Sequence, residues 1–174
     1  MSPVLIVPGI GGSGPEHWQT RWELSHPEYC RVQVPDWDAP ELELWLAALG
    51  DAVSAAAEPP IVVAHSLGCL TVAHFAGRGG RVRAALLVAV PDPAGPVFPP
   101  VASSFVGFPL RPFAFPSRVV ASRNDPYASF TFAERCASAW GSALSDVGGV
   151  GHINADSRLG DWPEGQRLLA GLLG

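Results

Sequence analysis

The sequence contains no lysine: its 11 basic residues are all arginine, scattered among 16 acidic residues for a net charge of −5. A nucleic-acid binder would carry a clustered basic face; none is visible, so no nucleic-acid partner is expected. Cysteine is scarce as well. Cys30, Cys69 and Cys136 are too few and too dispersed for a disulfide framework or a zinc site, and suit a reducing compartment. No stretch approaches the roughly 18 uninterrupted apolar residues of a membrane span. The first apolar run, PVLIVPG from Pro3, reads as a buried strand and leaves no room for a cleaved signal peptide. These absences predict a cytoplasmic protein with no membrane partner, no metal and no cofactor.

What is present describes a globular chain. With 174 residues, 48% apolar and 16% charged, residues 1–174 are expected to form one domain with a full core. Short apolar runs at 4–7, 31–34, 61–64, 84–90, 118–121 and 143–147 alternate with helical patterns. That alternation predicts an α/β fold, a parallel sheet with helices on both faces. Most of the runs are continuous, as strands buried on both faces should be. Leu42, Trp45, Leu46, Leu49 and Val53 share one helical face between Pro40 and Pro59-Pro60. A second helix should run over 67–76, and a third should bury Ala133, Cys136, Ala137 and Trp140, with Thr131 and Glu134 spaced as a capping box. Asp161 and Glu164 have the same spacing ahead of a last helix that turns Leu168, Leu169 and Leu172 inward. Residues 91–116, rich in proline and phenylalanine, cannot hold a long helix. They are either a lid or binding loop lining an active site, through Phe105 and Phe108, or a stiff crossover with its phenylalanines tucked inward.

In an open parallel sheet, ligands gather outside the carboxyl ends of the strands. Ser66 follows the third run, Asp92 the fourth, Asp125 the fifth and His152 the sixth. A serine, an acid and a histidine thus meet at one edge in the order Ser…Asp…His of α/β-hydrolases. A serine hydroxyl is a poor nucleophile until a neutral imidazole takes its proton, and that imidazole needs a carboxylate to hold its tautomer. Ser66 is assigned as nucleophile, His152 as base then acid, and Asp125 as the orienting carboxylate, with Asp92 the competing acid and Asp156 a brace for the histidine loop. His65 reads as a packing neighbour, and His26 and His74 as structural.

Two local strings need weighing. Ala64-His65-Ser66-Leu67-Gly68 resembles a G-x-S-x-G nucleophile elbow with alanine at its first position. A methyl group there adds little bulk, and the Leu67 N–H would face the developing oxyanion. Gly9-x-Gly11-x-x-Gly14 matches the dinucleotide fingerprint, with Asp36 or Asp38 where a ribose-binding acid would stand. A short-chain dehydrogenase, however, needs a Tyr and Lys pair, and this chain has no lysine. The hydrolase reading uses the same glycines to bring a second N–H, that of Ile10 or Gly11, to the oxyanion. Gly11, His17 and Trp18 then stand beside the site as candidate substrate-lining residues, with packing inside the loop the alternative and preferred reading for His17 and Trp18.

The strings VPGIGGSGPEHWQTRWE, AHSLGC, SRNDPYAS and GHINADSRLGDWPEG, spread nearly end to end, resemble the small serine hydrolases similar to retinoblastoma-binding protein nine. That resemblance implies a compact α/β-hydrolase fold with about six mostly parallel strands in the order 2-1-3-4-5-6, helices on both faces and no helical cap domain. It also implies that Ser66, Asp125 and His152 match the triad and that the substrate is a small ester or amide. The Leu-x-Cys-x-Glu string for retinoblastoma-type pocket proteins is absent, since Leu67-Gly68-Cys69-Leu70-Thr71 ends in threonine. No such partner is expected. The alternative to an enzyme is a binding protein on a hydrolase scaffold, its pocket closed by the aromatic loop.

Overall fold

The computed structural model describes residues 2–173. Six strands, β1 (Val4–Val7), β2 (Tyr29–Arg31), β3 (Ile61–His65), β4 (Ala84–Val88), β5 (Ser117–Ala121) and β6 (Ala143–Asp146), form one sheet in the order β2-β1-β3-β4-β5-β6. Every neighbouring pair is parallel. Helices α1 (Trp18–Ser25), α2 (Leu42–Ala55), α3 (Leu67–Gly77), α4 (Phe130–Trp140) and α5 (Pro163–Leu173) flank it. Among the described residues no large cap is inserted.

The continuous apolar runs follow from the two-sided burial. On one face Leu5, Val7, Val62, Ala64, Leu87 and Val119 pack against α2, α3 and α4. Their alternate neighbours Val4, Ile6, Val63, Leu86, Val88 and Val120 pack against Trp18, Trp22, Trp162 and Leu169 of the opposite layer. Indole hydrogen bonds tie that layer together: Trp18 Nε1 donates to the Ile153 carbonyl and Trp22 Nε1 to the Asp161 carbonyl, both at 2.8 Å. No described helix is long and apolar enough to cross a membrane.

Three local expectations need correction. β2 lies upstream of residues 31–34, pairing Val4 with Tyr29 and Ile6 with Arg31. As an edge strand it is only part-buried, so apolarity did not mark it. Of the two cap candidates for α4, Ser129 and Thr131, the cap is Ser129, whose Oγ accepts from the Phe132 N–H at 3.1 Å, and Thr131 lies inside the helix, so the 131/134 capping box does not form. α5 starts at Pro163, where the fixed φ of proline suits a first turn, and Asp161 contributes its carbonyl rather than a carboxylate cap.

Residues 91–116 divide into two parts. Their later half packs across α3 and α4: Phe105 is fully buried edge-on to Trp45, Phe113 stacks on Trp140, and Trp140 Nε1 donates to the Pro109 carbonyl at 2.8 Å. The earlier half, around Pro91 and Phe98-Pro99, stays at the carboxyl edge of the sheet.

Candidate active site

Ser66 occupies the sharp turn between β3 and α3, with φ 53° and ψ −122°. Such a backbone is strained for any residue with a side chain. It is held by the Ser66 N–H donating to the Val88 carbonyl at 2.9 Å and by the Cys69 N–H donating to the Ser66 carbonyl at 2.8 Å. A methyl group at Gly68 would come within 2.3 Å of the Val7 carbonyl oxygen, and one at Gly9 within 2.9 Å of Ser66 Cβ. Those are the positions where glycine is required. Ala64 sits fully buried in β3, so alanine at the first elbow position fits. Relief of the turn is measurable. Ser66→Gly is expected to be more stable than Ser66→Ala by about 1 kcal/mol, net of glycine's greater freedom when unfolded. Equal urea midpoints for the two variants would mean that the turn stores no strain.

Ser66 Oγ lies 2.8 Å from His152 Nε2, and both carboxylate oxygens of Asp125 lie 2.9 Å from His152 Nδ1. The histidine and aspartate side chains are 8% and 4% exposed, so water does not weaken their contact. Asp125 is fixed in turn by the Tyr127 N–H, donating to Oδ1 at 2.9 Å. The loops that deliver acid and base are joined to each other. Ser122 Oγ accepts from the Val150 N–H at 3.0 Å, Asn124 Oδ1 accepts from the Gly151 N–H at 2.8 Å, and the Arg123 N–H donates to the Gly148 carbonyl at 2.7 Å. Sequence reasoning passed over Ser122 and Asn124, although both stand just ahead of Asp125.

The chain on the far side of His152 is pinned from below. His65 Nε2 donates to the His152 carbonyl at 2.9 Å, and Trp18 donates to that of Ile153. Ile153 is fully buried with φ 49°, an unusual backbone for a β-branched residue. His17, His65 and His152 stand in a row, with ring centroids 4.6 and 5.0 Å apart. His17 Nδ1 accepts from the Gln19 N–H at 3.1 Å and caps α1, which leaves the proton on Nε2. Burial, helped by Arg31 and His152, pushes the His17 imidazole down to about 3. Burial first, then His17 and His152, pushes His65 well below its ordinary value as well. Both rings are therefore neutral at pH 7.

That neutrality links stability to pH. The unfolded chain protonates these imidazoles near 6.5 and the folded one does not, so it binds more protons at acid pH. Their contribution is fully present above about pH 6.5 and is lost as pH falls toward the depressed folded value. His17→Asn keeps an acceptor for the α1 cap and removes one titration. Its unfolding midpoint is expected to fall less steeply than the wild type's between about pH 6.5 and 4; parallel curves would contradict the linkage.

A cleft of about 310 Å³ opens over Ser66 at the carboxyl edge of the sheet. Ile10, Gly11, His17 and Leu67 line it, together with Tyr127 and Asn154, which sequence reasoning missed. Three expected lining residues stand elsewhere. Trp18 is 1% exposed beneath the site, Phe105 is in the core, and Phe108 packs on Phe132 and Trp140; Phe98 supplies the aromatic wall instead. Of the two N–H groups weighed for the glycine loop, that of Gly11 is taken by the Trp37 carbonyl at 3.1 Å. Leu67 and Ile10 each open a helical turn, so neither N–H has an acceptor within its own turn. Asp92 accepts from the Ala94 N–H in a local turn, and Asp36 does the same for Asp38 and Ala39. His26 stacks on Tyr29, and His74 meets the Phe105 carbonyl.

The sequence profile of the family described as serine hydrolase matches residues 4–171. The chain belongs to this serine hydrolase family. A YdeN-like hydrolase of Pectobacterium atrosepticum is 33% identical and superposes with a TM-score of 0.90, covering 99% of this chain and 90% of that one. The ydeN gene product of B. subtilis, at 23% identity, has a TM-score of 0.84 and covers 99% of both chains. The same fold recurs in Est1E of Butyrivibrio proteoclasticus, solved with ferulic acid bound, at 12% identity, a TM-score of 0.72 and coverage of 99% of this chain and 86% of that one. Among curated proteins none matches the chain. Family membership removes the dinucleotide reading of the glycine loop: in this serine hydrolase the loop packs directly on the nucleophile turn.

Proposed function

We propose that the chain hydrolyses a small carboxylic ester or amide through an acyl-enzyme on Ser66. The observation that carries this reading is the position of the His152 ring, between Ser66 Oγ at 2.8 Å and the Asp125 carboxylate at 2.9 Å. Ser66 Oγ attacks the substrate carbonyl carbon while His152 Nε2 takes its proton, and Asp125 keeps the other proton on Nδ1. The negative charge that forms on the carbonyl oxygen is met by the Leu67 and Ile10 N–H groups, aided by the positive end of α3. His152 passes its proton to the departing alcohol or amine. Water then attacks the acyl group by the same steps, returning the carboxylic acid and free Ser66.

In this reading residues 1–174 act as one domain, the first part of the 91–116 segment forms a wall of the substrate site, and the protein works in the cytoplasm. The motifs it has in common with the small hydrolases similar to retinoblastoma-binding protein nine support the same triad. The experiment is an acid quench during steady turnover of p-nitrophenyl esters, followed by peptide mass analysis. An acyl group on the Ser66 peptide is the expected result. An acyl group on another residue, or turnover that survives Ser66→Ala, would contradict the reading.

A further inference from the structure

No aspartate, glutamate or arginine lines the cleft among the described residues. Its walls are backbone, small residues, aromatic rings, imidazoles and the Asn154 amide. Two charged side chains behind the walls are turned away from the cleft. Asp125 is turned toward His152, and Arg31 is held behind the glycine loop by Glu23 while it donates to the carbonyls of Gly12 and Ser13. His17 and His65 are uncharged at neutral pH, so the imidazoles do not break this pattern. The Leu67 and Ile10 N–H groups, taken in this reading as the donors to the substrate oxygen, offer nothing to an acyl chain.

From this we infer that the site selects esters and amides whose acyl chain is uncharged near the carbonyl, and that it rejects aminoacyl and dicarboxylic half-ester substrates. The inference rests on the hydrolase reading above. An ammonium or carboxylate a few bonds from the reacting carbon would lose water against Phe98, Pro99 and Tyr127 and find no counter-ion. Uncompensated burial of that kind is expected to cost roughly a hundredfold in kcat/KM. A neutral chain of the same length loses nothing and gains apolar contact.

The test compares methyl butyrate, methyl β-alaninate and monomethyl succinate at pH 7, followed by methanol release. Methyl butyrate is expected to exceed both charged esters by roughly a hundredfold in kcat/KM. Asn154→Asp supplies the second measurement. Asn154 Oδ1 accepts from the Asp156 N–H at 3.1 Å, a role a carboxylate retains, while the wall gains a negative charge. In this variant the β-alaninate ester should rise about tenfold relative to butyrate, and the succinate half-ester should fall. A charged ester that matches the neutral one in the wild type, or a ratio unmoved by Asn154→Asp, overturns the inference and leaves the hydrolase reading standing. If none of the three is hydrolysed faster by the wild type than by Ser66→Ala, the hydrolase reading fails, and the inference with it.

Discussion

Ser66→Ala is expected to lower kcat on an activated ester by a factor on the order of 10⁵, His152→Ala by about as much, and the double variant by no more than either. Without the hydroxyl there is nothing to acylate, and without the imidazole there is nothing to take its proton. The two groups are 2.8 Å apart and act through one proton transfer, so their losses cannot add. Residual activity should come from the Leu67 and Ile10 N–H groups and from substrate binding alone. The measurement is kcat for the three variants on one p-nitrophenyl ester, with unfolding curves to show that each is folded. Losses that multiply in the double variant would mean that the two residues act in separate steps.

The second large effect is at Asp125. Asp125→Asn should cost a factor on the order of 10⁴ in kcat with little change in stability. The Tyr127 N–H, 2.9 Å from Oδ1, would still be accepted by the asparagine carbonyl oxygen. That choice puts the new NH2 in the Oδ2 position, 2.9 Å from His152 Nδ1, where its hydrogens oppose a proton on Nδ1 and favour the tautomer in which Nδ1 accepts. The ring proton moves to Nε2, where it faces Ser66 Oγ and blocks proton removal. The same substitution at Asp92 should leave kcat near the wild type, because its carboxylate is engaged in a turn with the Ala94 N–H. Rate measurements on both variants decide between the acids. A large loss at Asp92 with Asp125→Asn still active would reverse the assignment.

Much of this architecture was legible in the residues, for an identifiable reason. β1, β3, β4 and β5 are buried on both faces, so each appears as a continuous apolar run, and Ser66 and Asp125 follow such runs, whereas His152 follows β6, a part-buried edge strand. β2 was displaced because an edge strand need not be apolar, and Tyr29, Cys30 and Arg31 carry no such signal. The two readings of the phenylalanines could not be separated for a related reason. Composition shows that the 91–116 segment is aromatic, but only packing reveals that Phe105 fills the space against Trp45 while Phe98 remains at the cleft. Nor could the sequence show that the Gly11 N–H is taken by the Trp37 carbonyl, a contact between segments far apart in the chain. The pinning of His152 by His65 and Trp18 is of the same kind, since both bonds end on backbone carbonyls, which leave no trace in residue type.

The most direct measurement of the central claim is intact-mass labelling with a fluorophosphonate on the wild type and on Ser66→Ala. An activated serine in an assembled triad predicts a single adduct on the wild type and none on the variant. A well-folded wild type that takes no adduct, or a Ser66→Ala protein labelled as fully as the wild type, would contradict Ser66 as the nucleophile.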